Sequence, residues 1–320
     1  MANAEQIKGL IKSHSDGNDS RFYSIAMQVA DQAARQGHSK LANELRSLID
    51  RAKEKSQAPI ARGELAGLLS ISNPRERLSS LILPSVNYDR LKRIILEHRQ
   101  KAKLEQHHLA PRRKALLFGP PGTGKTLTAS ALAGELNLPL FTILFDGLIT
   151  RYMGETAAKL RIVFEQIDQV KGVYFFDEVD AIGTSRSSMN DVGEIRRVLN
   201  SFLQFLEQSD SESLILAATN SMTMLDKALF RRFDDVIEYG LPDEKLIIKV
   251  LKTRLSSGKT QNIDWAKLAN KSKGLSFADI CRVCDNTLKS IVLDDSHIEL
   301  NTQLVLKCIE DRHGGPVNCA

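Results

Sequence analysis

The chain has 320 residues, 42% of them apolar and 26% charged, which is enough for two or three compact units with buried cores. It has 44 Lys and Arg residues and 39 Asp and Glu residues, which gives a net charge of +5. Because the positive charges are spread along the chain and form no basic block, the composition permits nucleic-acid binding but does not favour it. No run approaches the roughly 18 uninterrupted apolar residues of a membrane span, and residues 1–12 lack the pattern of a signal peptide. We therefore expect a cytoplasmic protein with no membrane partner.

Residues 1–54 carry apolar side chains at helical spacing, with breaks at residues 16–18 and 37–39. This pattern predicts three short amphipathic helices that pack as a small helical bundle. We expect the bundle to act as an adaptor for partners or substrates. Residues 55–80 begin with a polar stretch that contains Pro59, and they are predicted to be a linker.

Residues 81–242 alternate short apolar runs with helical patterns, which is typical of an α/β domain with a parallel sheet wrapped by helices. The predicted strands are residues 115–118, 140–145, 173–176, 214–218 and 236–239. Residues 243–311 return to helical periodicity, and residues 312–320 are a predicted tail. Ser276 and Asp279 predict a capping box at the start of one of these helices.

The sequence GPPGTGKT at residues 119–126 has the spacing of a phosphate-binding loop, between a predicted strand and a predicted helix. Its glycines allow backbone N–H groups to face the phosphates, and the helix N-terminus adds a partial positive charge. In this interpretation Lys125 reaches the β- and γ-phosphates of ATP, and Thr126 binds Mg²⁺. The alternative is a glycine turn beside an unrelated Lys-Thr pair.

Polar side chains also follow the next two buried strands. Asp177 and Glu178 end the apolar run VYFF, and Asn220 follows the strand after it. Open α/β sheets bind ligands at this carboxyl edge. There Asp177 can hold Mg²⁺, Glu178 can orient and deprotonate the attacking water, and Asn220 can hydrogen-bond the water and the γ-phosphate. The alternatives are a strand that leaves the core through acidic residues and an asparagine that caps a turn.

Taken in order, the motifs GPPGTGKT, VYFFDE, AATN and LDKALFRRFD resemble those of the AAA ATPases, in the clade of ring-forming protein remodellers of the AAA+ superfamily. The resemblance covers about residues 81–311. It implies an AAA+ P-loop core with a five-stranded parallel sheet in the order 5-1-4-3-2, counted along the chain, a helical lid at residues 243–311, and a nucleotide held between the subunits of a hexamer. The residues expected to bind ATP or Mg²⁺ are Pro120, Pro121, Gly122, Thr123, Gly124, Lys125, Thr126, Leu127 and Asp177.

Arg231 and Arg232 match the arginine fingers of this family, which act on the γ-phosphate of a neighbouring subunit. A guanidinium placed on the charge that develops in phosphoryl transfer contributes roughly 10³ to 10⁵ in rate, so the resemblance implies that hydrolysis requires assembly. Residues 230–233 lack the glycine that the longer family form has between its arginines, and this leaves open which arginine is the main finger. An arginine pair at a solvated helix end is the alternative.

Tyr152, Met153 and Gly154 match the first pore loop of the family, in which an aromatic and an aliphatic residue grip a threaded polypeptide. Tyrosine suits this role because it offers a large contact area and has little rotamer entropy to lose. If the match holds, the substrate is a protein chain. Otherwise Tyr152 packs on its own helix.

Within the clade, the chain is most similar to the small bacterial AAA ATPases that accompany a subtilisin-like serine protease in plasmid-maintenance and phage-defence modules. This resemblance is carried by stretches within residues 20–38, 152–156, 190–194 and 228–234. The chain shows no protease constellation of its own, so the protease would be a separate partner.

These observations favour ATP hydrolysis in a ring that unfolds, threads or remodels a protein. A nucleic-acid-acting AAA+ ATPase of the loader or initiator type is an alternative, although such relatives usually add a basic DNA-binding module and a lid arginine that residues 274–279 do not offer. A third class is a nucleotide-gated binding module without hydrolysis, against which Glu178 and Asn220 argue.

Cys281 and Cys284 are expected to be free buried thiols rather than zinc ligands.

Overall fold

The structure is a computed structural model, and it describes residues 8–9, 13, 19–56, 65, 67–148, 153–180, 191–220, 230–256, 263–293 and 300–313. The chain divides into two compact units, residues 1–60 and residues 61–320. Since the first of the three predicted N-terminal helices falls within residues 1–18, it lies almost wholly outside the described residues.

In the first unit two helices pack against each other, α1 at Asp19–Arg35 and α2 at Ser39–Ser56. Gly37 makes the turn between them with a φ of +82°, a conformation that favours glycine. Small buried side chains, including Ala30 and Ala42, let the helices approach closely. The described part of this unit is therefore a helical hairpin.

The second unit is built on a mixed sheet of six strands. They are β1 at Leu69–Ser72, β2 at Lys114–Phe118, β3 at Leu140–Ile143, β4 at Val173–Phe176, β5 at Leu214–Thr219 and β6 at Asp235–Glu238. The strand order is β1-β3-β4-β5-β2-β6. Every neighbouring pair is parallel except β1 and β3, which are antiparallel.

The predicted sheet of five strands is wrong in its strand number, because β1 adds a sixth strand at one edge. This strand lies inside residues 55–80, the segment predicted to be a linker. It has only four residues, Leu-Ser-Ile-Ser, and Ser70 and Ser72 are exposed. Such a short edge strand gives too little apolar alternation to be separated from a polar connection.

The helices of the second unit cover both faces of the sheet and continue beyond it. They are α3 at Ser85–Arg99, α4 at Lys101–Glu105, α5 at Lys125–Leu136, α6 at Phe145–Leu148, α7 at Met153–Gln169, α8 at Asp191–Gln208, α9 at Glu244–Arg254, α10 at Trp265–Lys271, α11 at Phe277–Leu293 and α12 at Thr302–His313. A 3-10 helix at Leu78–Ser80 precedes α3.

Alternate residues of the strands enter two separate apolar cores. In β4, Tyr174 and Phe176 belong to the core under α7 and α8, whereas Val173 and Phe175 belong to the core under α3 and α5. All four residues are buried. This two-sided burial explains why the central strands appear in the sequence as continuous apolar runs.

The last four helices, α9 to α12, enclose a core of their own with Ile247, Leu251, Ile280 and Val305 among its buried residues. The predicted capping box is confirmed at the start of α11. The backbone N–H of Ser276 donates to Asp279 Oδ2 at 3.3 Å, and the backbone N–H of Asp279 donates to Ser276 Oγ at 3.2 Å. Among the described residues, no helix combines the length and the apolar character needed to cross a lipid bilayer.

Candidate active site

The loop between β2 and α5 has a backbone shape that requires glycine. Gly119, Gly122 and Gly124 have φ values of +145°, +74° and +100°. A Cβ on Gly119 would lie 1.9 Å from the carbonyl oxygen of Tyr239, and one on Gly122 would lie 2.6 Å from Ser276 Oγ. The strand and the helix predicted on either side of this loop are confirmed. The loop therefore passes tightly between β6 and the start of α11.

Hydrogen bonds hold the loop around the first turn of α5. Thr123 Oγ1 donates to the carbonyl oxygen of Pro120 at 2.8 Å, and Thr128 Oγ1 bonds the carbonyl oxygen of Gly124 at 3.0 Å. Behind the loop, Thr128 Oγ1 also lies 2.7 Å from the buried Tyr239 hydroxyl. Because α5 has twelve residues, its N-terminus adds a partial positive charge to a concave loop suited to phosphate.

Lys125 is buried at the start of α5 and points along the loop. Its Nζ donates to the carbonyl oxygens of Gly119 and Pro120 at 2.7 and 2.9 Å, and to Asn220 Oδ1 at 2.9 Å. Burial lowers the pKa of Lys125, and the nearby carboxylates, first of all that of Asp177, oppose this shift. The structure thus brings together the predicted lysine and the predicted strand-end asparagine.

A second contact joins the first turn of α5, at Thr126, to Asp177, the residue that follows β4. Thr126 Oγ1 donates to Asp177 Oδ2 at 2.9 Å. A hydroxyl and a carboxylate at this distance offer two of the hard oxygen ligands that Mg²⁺ prefers, and waters and phosphate oxygens would supply the rest. These two side chains fit the metal that the sequence predicts.

Glu178 stands on a strained backbone at the tip of β4. Its φ is +54°, which is uncommon for a residue with a side chain. Its N–H donates to Asp177 Oδ1 at 3.1 Å, and Val179, which is 1% exposed, anchors the turn in the core. The turn leaves the Glu178 side chain exposed at the same edge as the loop.

The structure adds contacts to the site that the sequence analysis missed. Asp180 Oδ1 accepts a hydrogen bond from the backbone N–H of Asn220 at 3.4 Å. From the helical region, the backbone N–H of Ala278 donates to the carbonyl oxygen of Gly122 at 3.0 Å. In the sequence, only the position of Asp180 three residues after Asp177 pointed to a role for it in the site. No feature of the sequence predicted the contact of Ala278 with the loop.

The other residues that the sequence predicts for the nucleotide site and the pore loop differ in how much of their surroundings the structure describes. Leu127, on the first turn of α5, is 48% exposed. Met153 and Gly154 begin α7, although their side chains are not described, and Tyr152 lies outside the described residues. Asn220, at the end of β5, is half-buried. The predicted pore loop is therefore located only by the start of its helix.

Arg231 and Arg232 lie just before β6, at the amino edge of the sheet and not at the edge that carries the loop. Arg232 Nε forms an ion pair with Glu207 Oε1 at 3.0 Å, whereas Arg231 is exposed. The five residues of β2 separate the two edges by roughly 16 Å, at about 3.3 Å per residue. Within one chain, neither arginine is placed beside the loop at Lys125.

The model of the family described as "ATPase family associated with various cellular activities (AAA)" matches residues 115–241, which run from β2 past β6. Together with the glycine loop on the mixed α/β sheet, this match makes the chain an ATPase of the P-loop class. Over 302 residues it is 34% identical to the "Uncharacterized AAA family ATPase y4kL" of Sinorhizobium fredii, and the alignment spans 92% of this chain and 91% of that protein. The chain belongs to the AAA ATPase family.

Another similar protein is the "Proteasome-activating nucleotidase" of Methanoregula boonei, with 36% identity over 187 residues. That alignment covers 55% of this chain and 42% of the relative, so less than half of the relative's length is matched. Among solved structures, the crystal structure of the FIGL-1 AAA domain matches with a TM-score of 0.60 at 23% identity, over 76% of this chain and 85% of that one. This last similarity concerns the fold alone.

Proposed function

We propose that the chain is a Mg²⁺-dependent ATPase that works in a ring, a hexamer, and uses hydrolysis to unfold, thread or remodel a protein substrate in the cytoplasm. The observation that carries the proposal is the pair of contacts at the carboxyl edge of the sheet. Lys125 contacts Asn220, and Thr126 contacts Asp177, so that the loop, the acidic strand end and the next strand end form one site.

Each side chain of this site has a chemical task in the proposal. Lys125 neutralises the β- and γ-phosphates, and the backbone N–H groups at the start of α5 hold them in place. Thr126 and Asp177 hold Mg²⁺, which when bound neutralises charge on the phosphate oxygens. Glu178 orients and deprotonates the attacking water, and Asn220 hydrogen-bonds that water and the γ-phosphate.

The position of the arginines supports the assembly part of the proposal. Arg231 and Arg232 lie at the opposite edge of the sheet from the loop of their own chain, and in the proposal they act on ATP bound to a neighbouring subunit. Glu207 holds Arg232, while Arg231 is exposed. We assign the main finger to Arg231, and to Arg232 the role of holding the turn that presents it.

The protein substrate is proposed from the relatives and from the predicted pore loop. One similar protein is named a proteasome-activating nucleotidase. In the chain described here, Tyr152, Met153 and Gly154 would grip the polypeptide, and the N-terminal helices would recruit substrate or partner. The partner protease would be subtilisin-like, in a bacterial phage-defence or plasmid-maintenance module, as the resemblance of the sequence implies.

The test is the variant Glu178→Gln, which keeps the shape of the side chain and removes the base. We expect ATP binding to persist and phosphate release to fall by at least about 100-fold, because general-base assistance contributes about 10² to 10⁴ in rate. A matched control is Glu165→Gln, an exposed glutamate on α7 that pairs with Arg161 at 3.1 Å. Its phosphate release should stay at the wild-type level.

The same variant tests the assembly and the substrate. With ATP, Glu178→Gln should form a stable ring that retains bound protein, measured by analytical ultracentrifugation and by mass spectrometry of the captured material. A monomer that captures nothing in ATP would contradict the ring. Stimulation of hydrolysis by DNA, with an affinity that falls steeply as salt rises, would instead favour the loader type of AAA+ ATPase.

A further inference from the structure

The turn after β4 returns the chain to the edge of the sheet at Asp180. Glu178 takes the left-handed conformation at φ +54°, and Val179 is buried in the core beneath the turn. These two residues reverse the chain between them. The result is that Glu178 stays exposed while Asp180 is half-buried beside the neighbouring strand.

That neighbouring strand is β5, and its end meets Asp180. Because β4 and β5 are parallel with Phe176 opposite Ala217, the residues that follow the two strands lie side by side. The backbone N–H of Asn220, one residue beyond β5, donates to Asp180 Oδ1 at 3.4 Å. A carboxylate is a strong acceptor for a backbone N–H that lies past the end of its strand.

Asn220 is thereby held from two sides. Its backbone N–H is bound by Asp180, and its Oδ1 accepts from Lys125 Nζ at 2.9 Å. The charge of Asp180 also acts on Lys125, where it is one of the carboxylates that oppose the lowering of the lysine pKa by burial. Asp180, Asn220 and Lys125 therefore form a continuous polar chain across three elements of the site.

We propose that Asp180 is a positioning residue for Asn220, which fixes the end of β5 so that the Asn220 amide stays within reach of Lys125 and of the γ-phosphate. This inference rests on the proposed function. Since Asp180 acts through Asn220 in this proposal, its loss should lower kcat while the affinity for ATP stays close to the wild-type value.

Two substitutions of Asp180 test whether its effect comes from the hydrogen bond to Asn220. Asp180→Ala removes the acceptor, and kcat should fall about tenfold with less than about a twofold change in KM. Asp180→Asn keeps a carbonyl oxygen at the same place and should recover most of the loss. The control is Asp168→Ala, which removes a carboxylate that accepts from Ser209 Oγ at 2.8 Å near the opposite edge of the sheet. This control should leave kcat unchanged.

A double-mutant cycle tests whether Asp180 acts through Asn220. If it does, Asp180→Ala has little further effect on kcat once Asn220→Ala is present, because the group it positions is gone. Equal, additive losses in the two backgrounds would overturn the proposal. So would a kcat of Asp180→Ala at the wild-type level, or an Asp180→Asn variant as slow as Asp180→Ala.

Hydrogen exchange of the backbone amide of Asn220 provides a readout that does not depend on turnover. Measured by mass spectrometry on peptides that span the end of β5, exchange should be faster in Asp180→Ala than in the wild type and near normal in Asp180→Asn. Unchanged exchange in Asp180→Ala would contradict the contact. A wild-type chain that binds ATP and releases no phosphate would instead contradict the proposed function, whatever the exchange shows.

Discussion

Gly119 shows how closely single atoms constrain the loop. A Cβ at this position would lie 1.9 Å from the carbonyl oxygen of Tyr239, and the φ of +145° is one that other residues rarely adopt. We predict that Gly119→Ala costs roughly 1–3 kcal/mol of unfolding free energy and weakens ATP binding more than about tenfold, because the loop must move away from β6. Urea denaturation and fluorescent-nucleotide titration measure the two effects.

The control for this substitution is Gly240→Ala, on the residue directly after Tyr239. A Cβ there would meet nothing within 4 Å, and the position is exposed. Its ATP affinity should match the wild type. If both alanine variants bound ATP with wild-type affinity, the close approach of Gly119 to Tyr239 would not be needed for ATP binding.

The two arginines before β6 are predicted to differ. Arg231→Ala should reduce phosphate release from the proposed ring by about 10³-fold or more, since it removes the proposed finger from every site. Arg232→Ala should reduce it less, because Arg232 is held by Glu207 at 3.0 Å and supports the turn. Steady-state phosphate release, with ring formation checked by ultracentrifugation, distinguishes them. A larger loss in Arg232→Ala would reverse the assignment.

The residues of the site differ in how far the sequence alone could select them. The loop at residues 119–126 is a continuous motif, and Asp177, Glu178 and Asn220 each end an apolar run, so all of them could be chosen from the pattern. The sequence could not select three other residues that contact the site. Tyr239 and Ala278 reach the loop from segments that are remote in sequence, and the contact of Asp180 depends on the left-handed turn at Glu178. The catalytic and binding roles themselves stay predictions.

At the scale of elements, the central strands were visible as apolar runs because helices bury them on both faces. The strand predicted at residues 140–145 ends at Ile143 instead, since Phe145 begins the short helix α6. An apolar residue fits the end of a strand and the start of a buried helix equally well, so the pattern could not divide them. Strand β1 was missed for the opposite reason, as a short edge strand with exposed serines.

The helix α11 carries a cluster at its start that links the last helix to the loop. Ser276 and Arg312 both bond the carboxylate of Asp279, and the next residue toward the loop, Ala278, bonds Gly122. Partial burial acts to raise the pKa of Asp279, but the hydrogen bonds from Ser276 and Arg312 outweigh it and hold the pKa below its usual value. The charged form of Asp279 is therefore the one that the fold favours.

The lowered pKa of Asp279 determines how its contribution to stability changes with pH. Because the folded-state pKa is lowered, the stabilisation is present above the unfolded pKa of about 3.9 and is lost as the pH falls through the folded-state value. We predict that Asp279→Asn lowers the unfolding free energy by about 1–2 kcal/mol near pH 7. The difference from the wild type should disappear at pH values well below about 3.9, as measured by urea denaturation at several pH values.

Asp285→Asn is the matched control for this experiment, since it removes an exposed carboxylate from the same helix. It should leave the unfolding free energy close to the wild-type value at every pH. A difference between wild type and Asp279→Asn that stayed constant down to pH 3 would show that the charge of Asp279 is not the source of the stabilisation.

For the whole molecule, the main consequence of the fold is that the two halves of the proposed catalytic site lie at opposite edges of one sheet. Lys125, Thr126, Asp177 and Asn220 meet at the carboxyl edge, whereas Arg231 lies before β6 at the amino edge, roughly 16 Å away along β2. Within one chain, Arg231 is therefore remote from the loop that is proposed to bind ATP. The account requires that a neighbouring subunit supply the arginine.

Mixing two inactive variants tests this requirement most directly. Lys125→Ala removes the loop lysine and Arg231→Ala removes the finger, so each variant alone should release almost no phosphate. In mixed rings, the intact loop of an Arg231→Ala subunit can face the intact arginine of a Lys125→Ala neighbour, and we predict that phosphate release returns. If co-purification through a tag on one variant shows that mixed rings form, and their phosphate release stays as low as that of either variant alone, the proposed intersubunit site is wrong.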